Sequence, residues 1–137
     1  MEMEFQLRGI GVLRSIITDA AFAPKQGQEG APDAWLELEP HYIDGLLGLT
    51  VGSEVVIITW LHRSDRDTLQ IHPRGDTSRQ LAGVFATRSP NRPNPLGLHL
   101  VSVRKIEGTR LLIGPIEAFD GTPVVDIKIA LGKIQDF

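Results

Sequence analysis

The chain has 137 residues, which suits one domain and leaves no length for a second fold of ordinary size. Hydrophobic residues make up 42% and charged residues 23%, an ordinary globular composition. No stretch approaches the roughly 20 apolar residues that cross a bilayer, and the acidic start 1–4 is unlike a signal peptide. The absence of cysteine excludes disulfides and thiolate chemistry. These features predict a soluble, cytoplasmic protein with no membrane association.

The charge is unevenly distributed along the chain. The net charge of −3 argues against a protein that coats nucleic acid non-specifically, because such binding needs many basic residues facing phosphate. Between His62 and Pro95, however, six arginines stand against three aspartates, a local net charge of +3. Arginine binds carboxylate and phosphate in a bidentate manner. Solvated loop charge and an anion-binding or nucleotide-binding patch are equally consistent with this segment.

In chain order, alternation of apolar and polar residues with a period of two predicts a series of short strands. We predict strands at 5–12, 34–39, 54–61, 83–87, 98–106, 110–119 and 124–130. The glycines at 9 and 11 suggest a bulge or tight curvature in the first strand. The turn 107–109 predicts that the fifth and sixth strands form an antiparallel hairpin.

Only one segment favours a helix. Pro40 suits the first helical position, the apolar residues among 42–47 fall on one stripe, and Gly48 suits the end. Seven short strands and one short helix predict an all-β fold, a small antiparallel β-barrel. The long segments 18–32 and 63–81 read as loops, and loops of this length are usually functional lids or disordered.

Two segments are candidates for a binding site. The segment 88–97 has three prolines, which fix the backbone and remove donors, so it presents two arginines and two asparagines on a stiff loop. A rigid strand connector is the alternative interpretation. The segment 120–128 places an Asp-Gly turn and a second carboxylate at the start of a strand, and an ordinary hairpin explains it equally well.

Other kinds of site find no support. The four histidines, at 41, 62, 72 and 99, are scattered without metal-ligand spacing, so no metal site is predicted. The chain contains neither a Gly-x-Ser-x-Gly nucleophile turn nor a glycine-rich phosphate loop. From the residues alone, the pattern indicates a small-molecule or nucleotide site without naming a reaction.

The sequence resembles the TsaA-like (TrmO) family of tRNA adenine N6-methyltransferases. The resemblance covers nearly the whole chain. It is carried by the segments 9–15, 24–27 and 60–62, and most heavily by 83–98, GVFATRSPNRPNPLGL, and 120–128, DGTPVVDIK. Four positions depart from the family pattern: Lys25 replaces an arginine, His99 replaces a serine, and Ile129 and Ala130 replace a Pro-Tyr pair.

The resemblance implies a β-barrel that binds S-adenosylmethionine without a Rossmann sheet and works as a homodimer. Its implied substrate is tRNA, at the threonylcarbamoylated adenosine beside the anticodon, which gains an N6 methyl group. We expect 1–137 to be a single domain of this type without the further C-terminal domain of the bacterial enzymes. The implied cofactor-binding residues are Lys25, Gln26, Gly27, His62, Arg63, Arg88, Leu98, Asp120, Gly121, Thr122 and Pro123.

The remaining roles are hypotheses from the chemistry of the side chains, given a reaction of this kind. Arg88 or Arg92 suits the methionine carboxylate or a tRNA phosphate. Asp120 or Asp126 suits a ribose hydroxyl, the orientation of the nucleophile, or the departing N6 proton. Pairing of Asp126 with Lys128, or a cap on the turn, is the alternative.

Three further residues complete the hypothesis. Asn94 is a third catalytic candidate, and Arg74 and Arg79 join Arg92 as candidates for RNA contact. Two other functions stay open: methylation of another nucleotide or a small amine, and a non-catalytic barrel that senses S-adenosylmethionine or a related nucleoside.

Overall fold

Alternation of apolar and polar residues produces a closed antiparallel barrel in the computed structural model, which describes residues 2–18 and 30–132. Six of the described strands close the barrel in the order β1-β2-β7-β6-β3-β8, and β4 and β5 form a separate two-stranded ribbon. The strands are β1 (Gly11–Arg14), β2 (Ala34–Leu38), β3 (Glu54–Trp60), β4 (Gln70–Ile71), β5 (Ala82–Gly83), β6 (Leu96–Glu107), β7 (Arg110–Gly114) and β8 (Pro123–Ile129). The predicted fold class, a small all-β barrel, is confirmed.

The core fills the inside of this barrel. Every second residue of β6 from Gly97 to Val103 is buried, as the period of two requires. Leu36, Ile57 and Ile113 from three other strands have no exposed surface. Because complete burial of one such side chain stabilises a fold by about 1.5–3 kcal/mol, this cluster supplies much of the stability.

A bulge between β3 and β8 decides which way the residues of β8 face. Ile58 pairs with Asp126 but Thr59 pairs with Val124, so Val125 is an extra residue in β8. Paired residues share a face of the sheet. Thr59 and Val124 therefore both point inward, whereas Asp126 points outward beside Ile58.

The prediction of a first strand at 5–12 is mostly wrong. Only the end of that segment lies in β1, and residues 2–9 are exposed and outside any strand. Gly11 pairs with Leu38 and with Val124. Beyond Leu38, β2 gives way to a 3-10 helix, so the alternating residues before Gly11 lack the neighbouring strand that alternation presupposes.

Three other predicted boundaries change. The segment 83–87 contributes only Gly83 to a strand and continues as a 3-10 turn, Val84–Ala86. The sixth predicted strand ends at Gly114 because Pro115, which follows, has no N–H to donate. The predicted loop 63–81 contains β4 and a 3-10 turn at Pro73–Gly75.

The predicted helix is present as a 3-10 helix, Pro40–Leu46. Its backbone bonds span three residues, as in the N–H of Tyr42 donating to the carbonyl of Glu39 at 3.0 Å. Tyr42 and Leu46 pack against the core, whereas Leu47 is 95% exposed. Within the described ranges, no helix has the length and apolar character needed to cross a membrane.

We expect Gly11→Ala to destabilise the barrel. A Cβ at Gly11 would stand 2.5 Å from the backbone oxygen of Glu37, a fixed atom of the neighbouring strand. Forcing the strands apart should cost about 1–3 kcal/mol, measured as a lower urea midpoint. Gly9→Ala is the matched control, because a Cβ there meets nothing within 4 Å. Equal midpoints for the two variants would contradict the packing argument.

Candidate functional site

One end of the barrel gathers several of the predicted site residues. There β1 and β3 end and β6 and β8 begin. The Asp120–Pro123 turn crosses this end and is held to the chain that follows β1. The backbone N–H of Asp120 donates to the carbonyl of Ile17 at 2.8 Å, and that of Ser15 donates to the Asp120 carboxylate at 3.1 Å. The Asp120 carboxylate is thereby oriented by a backbone donor.

The other residues of this turn form the barrel wall. Gly121 has a φ of +82°, which favours glycine, and its N–H donates to the carbonyl of Leu13 at 2.8 Å. Thr122 is 1% exposed, and its hydroxyl donates to the carbonyl of Phe119 at 2.7 Å. Their role in this arrangement is to fix the backbone of the turn.

Arg63 joins the loop after β3 to the same turn. Its guanidinium carbon lies 4.4 Å from the centre of the Phe119 ring, and the guanidinium donates to the carbonyl of Thr18 at 3.1 Å. Stacking on an aromatic face suits the planar guanidinium. Ser15, Arg63, Phe119 and Asp120, which we call the turn cluster, therefore combine three separate parts of the chain. His62 beside Arg63 is exposed.

The loop after β3 also holds the proline-rich loop, 88–97. The backbone N–H of Asp65 donates to the side-chain oxygen of Asn91 at 2.9 Å, and the N–H of Arg92 donates to the carbonyl of Asp65 at 3.0 Å. The N–H of Leu61 donates to the carbonyl of Pro95 at 2.8 Å. The two arginine-rich loops therefore form one connected surface beside the turn cluster.

Arg66 strengthens this connection through its planar side chain. The guanidinium donates to the carbonyl of Pro93 at 2.7 Å and to the side-chain oxygen of Asn94 at 3.1 Å. Its carbon also lies 5.0 Å from the centre of the Trp60 ring. Asn94, a predicted catalytic residue, is exposed, and its side-chain oxygen accepts the hydrogen bond from Arg66.

Asp65 carries the clearest electrostatic effect in this region. Its carboxylate accepts hydrogen bonds from the N–H of Asp67 at 2.8 Å and from the hydroxyl of Thr68 at 3.0 Å. Both hydrogen bonds hold the pKa of Asp65 below its ordinary value, and the bond from the backbone N–H of Asp67 has the larger effect. The charged form therefore supports the loop at neutral pH, and this support is lost only as pH falls through the lowered pKa.

Arg92, predicted to contact RNA, faces its own loop. One guanidinium nitrogen donates to the carbonyl of Val84, and the same nitrogen donates to the carbonyl of Thr87 at 3.0 Å. The hydroxyl and backbone N–H of Thr87 also bind Val84. Arg92 therefore stabilises the 3-10 turn Val84–Ala86 through these hydrogen bonds.

Two predicted residues lie on the outer face of the barrel. Leu98, 42% exposed, pairs with Ile58, which pairs in turn with Asp126. The Asp126 carboxylate lies 3.4 Å from the Lys128 ammonium and accepts from the N–H of Ile127. It also lines a groove of about 630 Å³ beside the 3-10 helix Pro40–Leu46, at the opposite end from the turn cluster. This geometry matches the alternative in which Asp126 pairs with Lys128.

The other predicted residues are dispersed. Lys25, Gln26 and Gly27 lie outside the described residues. Arg88 is exposed on the proline-rich loop. Arg74 and Arg79 lie in the segment between β4 and β5, where Arg79 is 3.7 Å from Asp76. Among the described residues no group of three or more histidines and acids is placed to hold a metal ion.

Sequence reasoning missed several residues of this end of the barrel. Ser15 and Phe119 were not singled out, because their contacts join segments distant along the chain. The hydrogen-bonded set Thr59, His99 and Glu117 was missed too. The period of two in β6 did contain a signal, since it places His99 on the same inward face as Val101.

Comparison with known proteins identifies relatives of the chain. The profile of the tRNA-methyltransferase O N-terminal domain matches residues 12–134. A probable S-adenosyl-L-methionine-binding protein of Methanothermobacter thermautotrophicus is 39% identical over 93% of this chain and 90% of its own length. A putative S-adenosylmethionine-dependent methyltransferase of Pseudomonas aeruginosa is 37% identical over 92% of this chain and 55% of its own length.

The fold also matches solved structures. The crystal structure of TrmO from P. aeruginosa superposes with a TM-score of 0.78 at 30% identity. The match covers all of this chain but only 61% of the other. The chain thus spans about three-fifths of the length of the solved structure that it resembles.

We expect Arg92→Lys to loosen the proline-rich loop. One terminal guanidinium nitrogen contacts the carbonyls of both Val84 and Thr87, and the ammonium of lysine, which stands one bond closer to the backbone, reaches them less well. Amides at 84–91 should exchange with deuterium faster, with a loss of about 0.5–1.5 kcal/mol in unfolding free energy. Arg79→Lys, which alters an exposed contact to Asp76, should leave these amides unchanged. If Arg92→Lys left the deuterium exchange of these amides unchanged, Arg92 would not stabilise the 3-10 turn.

Proposed function

The chain belongs to the tRNA-methyltransferase O family, and from this premise we propose that it binds S-adenosylmethionine and methylates N6 of an adenosine in tRNA. The proposed nucleotide is the threonylcarbamoylated adenosine beside the anticodon. The observation that carries the proposal is the stacking of Arg63 on Phe119 next to Asp120. It brings Arg63, an expected cofactor-binding residue, against the chain that leads into the Asp120–Pro123 turn, the other part of the expected cofactor site.

The residues of this end of the barrel suit S-adenosylmethionine. The molecule presents ribose hydroxyls, which carboxylates accept, and an amino-acid carboxylate, which guanidinium groups bind. Asp120, oriented by the N–H of Ser15, is suited to the ribose. Arg63 or the exposed Arg88 is suited to the carboxylate. When bound, the cofactor supplies a methyl group on a sulfonium, which is electrophilic without further activation.

The work left to the protein is alignment. Two connected loops and the Asp120–Pro123 turn are each held by several hydrogen bonds, so their groups need little ordering on binding. Holding an acceptor in line with the methyl group contributes several kcal/mol without covalent catalysis. If Asp120 does not bind the ribose, its alternative role is to orient the acceptor or to remove the N6 proton, with Asn94 as a second polar group. Asp126 is the weaker candidate because Lys128 already pairs with it.

The tRNA partner rests on family membership and on the arginines between β3 and β6. A homodimer, also proposed from the family, would bring together two such surfaces. The structure favours one alternative. Arg66 donates to the carbonyl of Pro93 in the proline-rich loop, Arg92 donates to the carbonyl of Thr87, and Arg79 lies beside Asp76. Fewer guanidinium groups are then directed to phosphate than the sequence suggests, which favours a smaller acceptor as the second candidate.

We expect Arg63→Lys to weaken the binding of S-adenosylmethionine by about 3–10-fold, because lysine keeps the charge and loses the planar stack. Calorimetric titration measures this change. Arg110→Lys is the matched control, since Arg110 lies 4.2 Å from the Trp35 ring elsewhere on the barrel. Equal affinity of both variants and the parent protein would remove Arg63 from the site.

Replacing Arg88 by alanine should reduce the affinity by about tenfold if a guanidinium–carboxylate pair is lost. The fold should be unaffected, because Arg88 is exposed. Circular dichroism checks the fold, and titration checks the affinity. Unchanged affinity would leave Arg88 outside the cofactor site.

The reaction itself is tested with total tRNA and methyl-labelled S-adenosylmethionine. We expect label in tRNA, and nuclease digestion with mass spectrometry should place it on the adenosine beside the anticodon. Binding without transfer to tRNA would favour the smaller acceptor or a sensing role. No binding of S-adenosylmethionine by the full chain would refute the proposed function.

A further inference from the structure

A buried polar set lies just inside the barrel from the turn cluster. His99 is 5% exposed and Thr59 is not exposed at all. The Nδ1 atom of His99 lies 2.8 Å from a carboxylate oxygen of Glu117, and its Nε2 atom lies 2.8 Å from the hydroxyl of Thr59. Because a carboxylate only accepts, Nδ1 carries a proton and donates to Glu117. Both ring nitrogens are thus committed, and the ring has one orientation.

These three residues belong to the three segments that converge on the candidate site. Thr59 lies in β3, which leads into the loop carrying Arg63. His99 follows Leu98 in β6, where the proline-rich loop ends. Glu117 lies in the segment that leads to Phe119 and Asp120. The imidazole therefore connects all three segments by side-chain hydrogen bonds.

The segment that carries Glu117 is anchored by the core residues Ile116 and Ala118 and by few backbone hydrogen bonds among the described residues. Residues 115–119 belong to no strand. The N–H of Ile116 donates to the carbonyl of Pro32 at 2.9 Å, and the N–H of Asp120 donates to Ile17 at 2.8 Å. The bond from His99 to Glu117 falls between these two anchors. It fixes the middle of the span from which Phe119 projects towards Arg63.

Gly97 gives the set its space. A Cβ at this position would stand 2.5 Å from the Thr59 hydroxyl and 2.7 Å from the Nε2 atom of His99. Any larger residue would displace the imidazole or the hydroxyl. The glycine that ends the proline-rich loop therefore leaves the space that the polar set occupies.

Stability alone does not account for polar groups at this level of the barrel. Inward neighbours such as Ile57 and Val101 are apolar, and apolar packing avoids the cost of removing polar groups from water. A directed hydrogen bond instead fixes a distance and an angle between segments. We propose that His99 is a positioning residue that holds the Phe119–Asp120 corner through Glu117, an inference that rests on the proposed function.

Two substitutions of His99 separate its two bonds. His99→Asn places an amide donor near the position of Nδ1 and keeps the hydrogen bond to Glu117. His99→Gln places an amide group near the position of Nε2 and keeps the hydrogen bond to Thr59. We expect His99→Gln to raise the Kd for S-adenosylmethionine about tenfold, as displacement of a supporting group typically does. His99→Asn should restore the affinity to within about threefold, since the same supporting bond is retained.

Val101→Ala is the control for general loss of packing. Val101 is 2% exposed on the same inward face of β6. This variant should melt at a lower temperature, as buried truncations do, with an unchanged Kd. Glu117→Ala tests the same bond from a more exposed side chain, 23% accessible, if a His99 variant fails to fold. It should reproduce the loss expected of His99→Gln.

The outcomes separate this inference from the proposed function. If the parent protein binds S-adenosylmethionine and His99→Gln and Glu117→Ala bind it equally well, the inference is wrong and the function stands. Equal losses in His99→Asn and His99→Gln would also overturn it, because the bond to Glu117 would not be the operative one. If the parent protein does not bind, the proposed function fails first and the inference falls with it.

Discussion

Closure of the barrel along the seam between β1 and β8 is the interaction on which the other features depend. The two strands pair at only two positions, where Gly11 and Val12 meet Val124 and Pro123. The seam is then continued by loop backbone, because the N–H of Leu13 donates to the carbonyl of Thr122 at 2.9 Å. The contact between β1 and β8 that closes the barrel is thus made largely by the turn that begins at Asp120.

This arrangement places the candidate site where the barrel closes. A seam made of loop backbone leaves side chains such as Asp120 half-buried at the rim instead of inside a ladder. The backbone hydrogen bonds that close the barrel hold the Asp120–Pro123 turn, and the nearby N–H of Ser15 orients the Asp120 carboxylate. Fold stability and site geometry therefore share the contacts of this turn.

Much of the fold was accessible from the sequence because strand burial follows a period of two. The segments at 34–39, 54–61 and 124–130 correspond closely to β2, β3 and β8. Alternation failed at 5–12, where a local pattern has no neighbouring strand to pair with. It failed again at 83–87, where Val84 begins a 3-10 turn braced by Arg92. Both errors concern tertiary partners, which a local pattern does not contain.

The candidate site was less accessible, and for a related reason. Motif segments identified the turn at 120–123 and the proline-rich loop, but no spacing rule indicates that Arg63 stacks on Phe119. Nor does a lone histidine in a strand reveal which acid it will meet across the barrel, as His99 meets Glu117. Such pairs depend on the shear and bulges of the closed barrel.

The arginines show how composition alone misleads about charge. Prolines remove backbone donors from the loop at 88–97, and a loop without regular structure still has carbonyls to satisfy. Arg66 and Arg92 donate to such carbonyls, and Arg63 donates to that of Thr18. A guanidinium carries five N–H groups in a fixed fork, so one side chain can tie a loop and retain its positive charge. The arginines between β3 and β6 therefore hold the loops together through hydrogen bonds to carbonyls. Their positive charge beside the turn cluster is a consequence of this structural role.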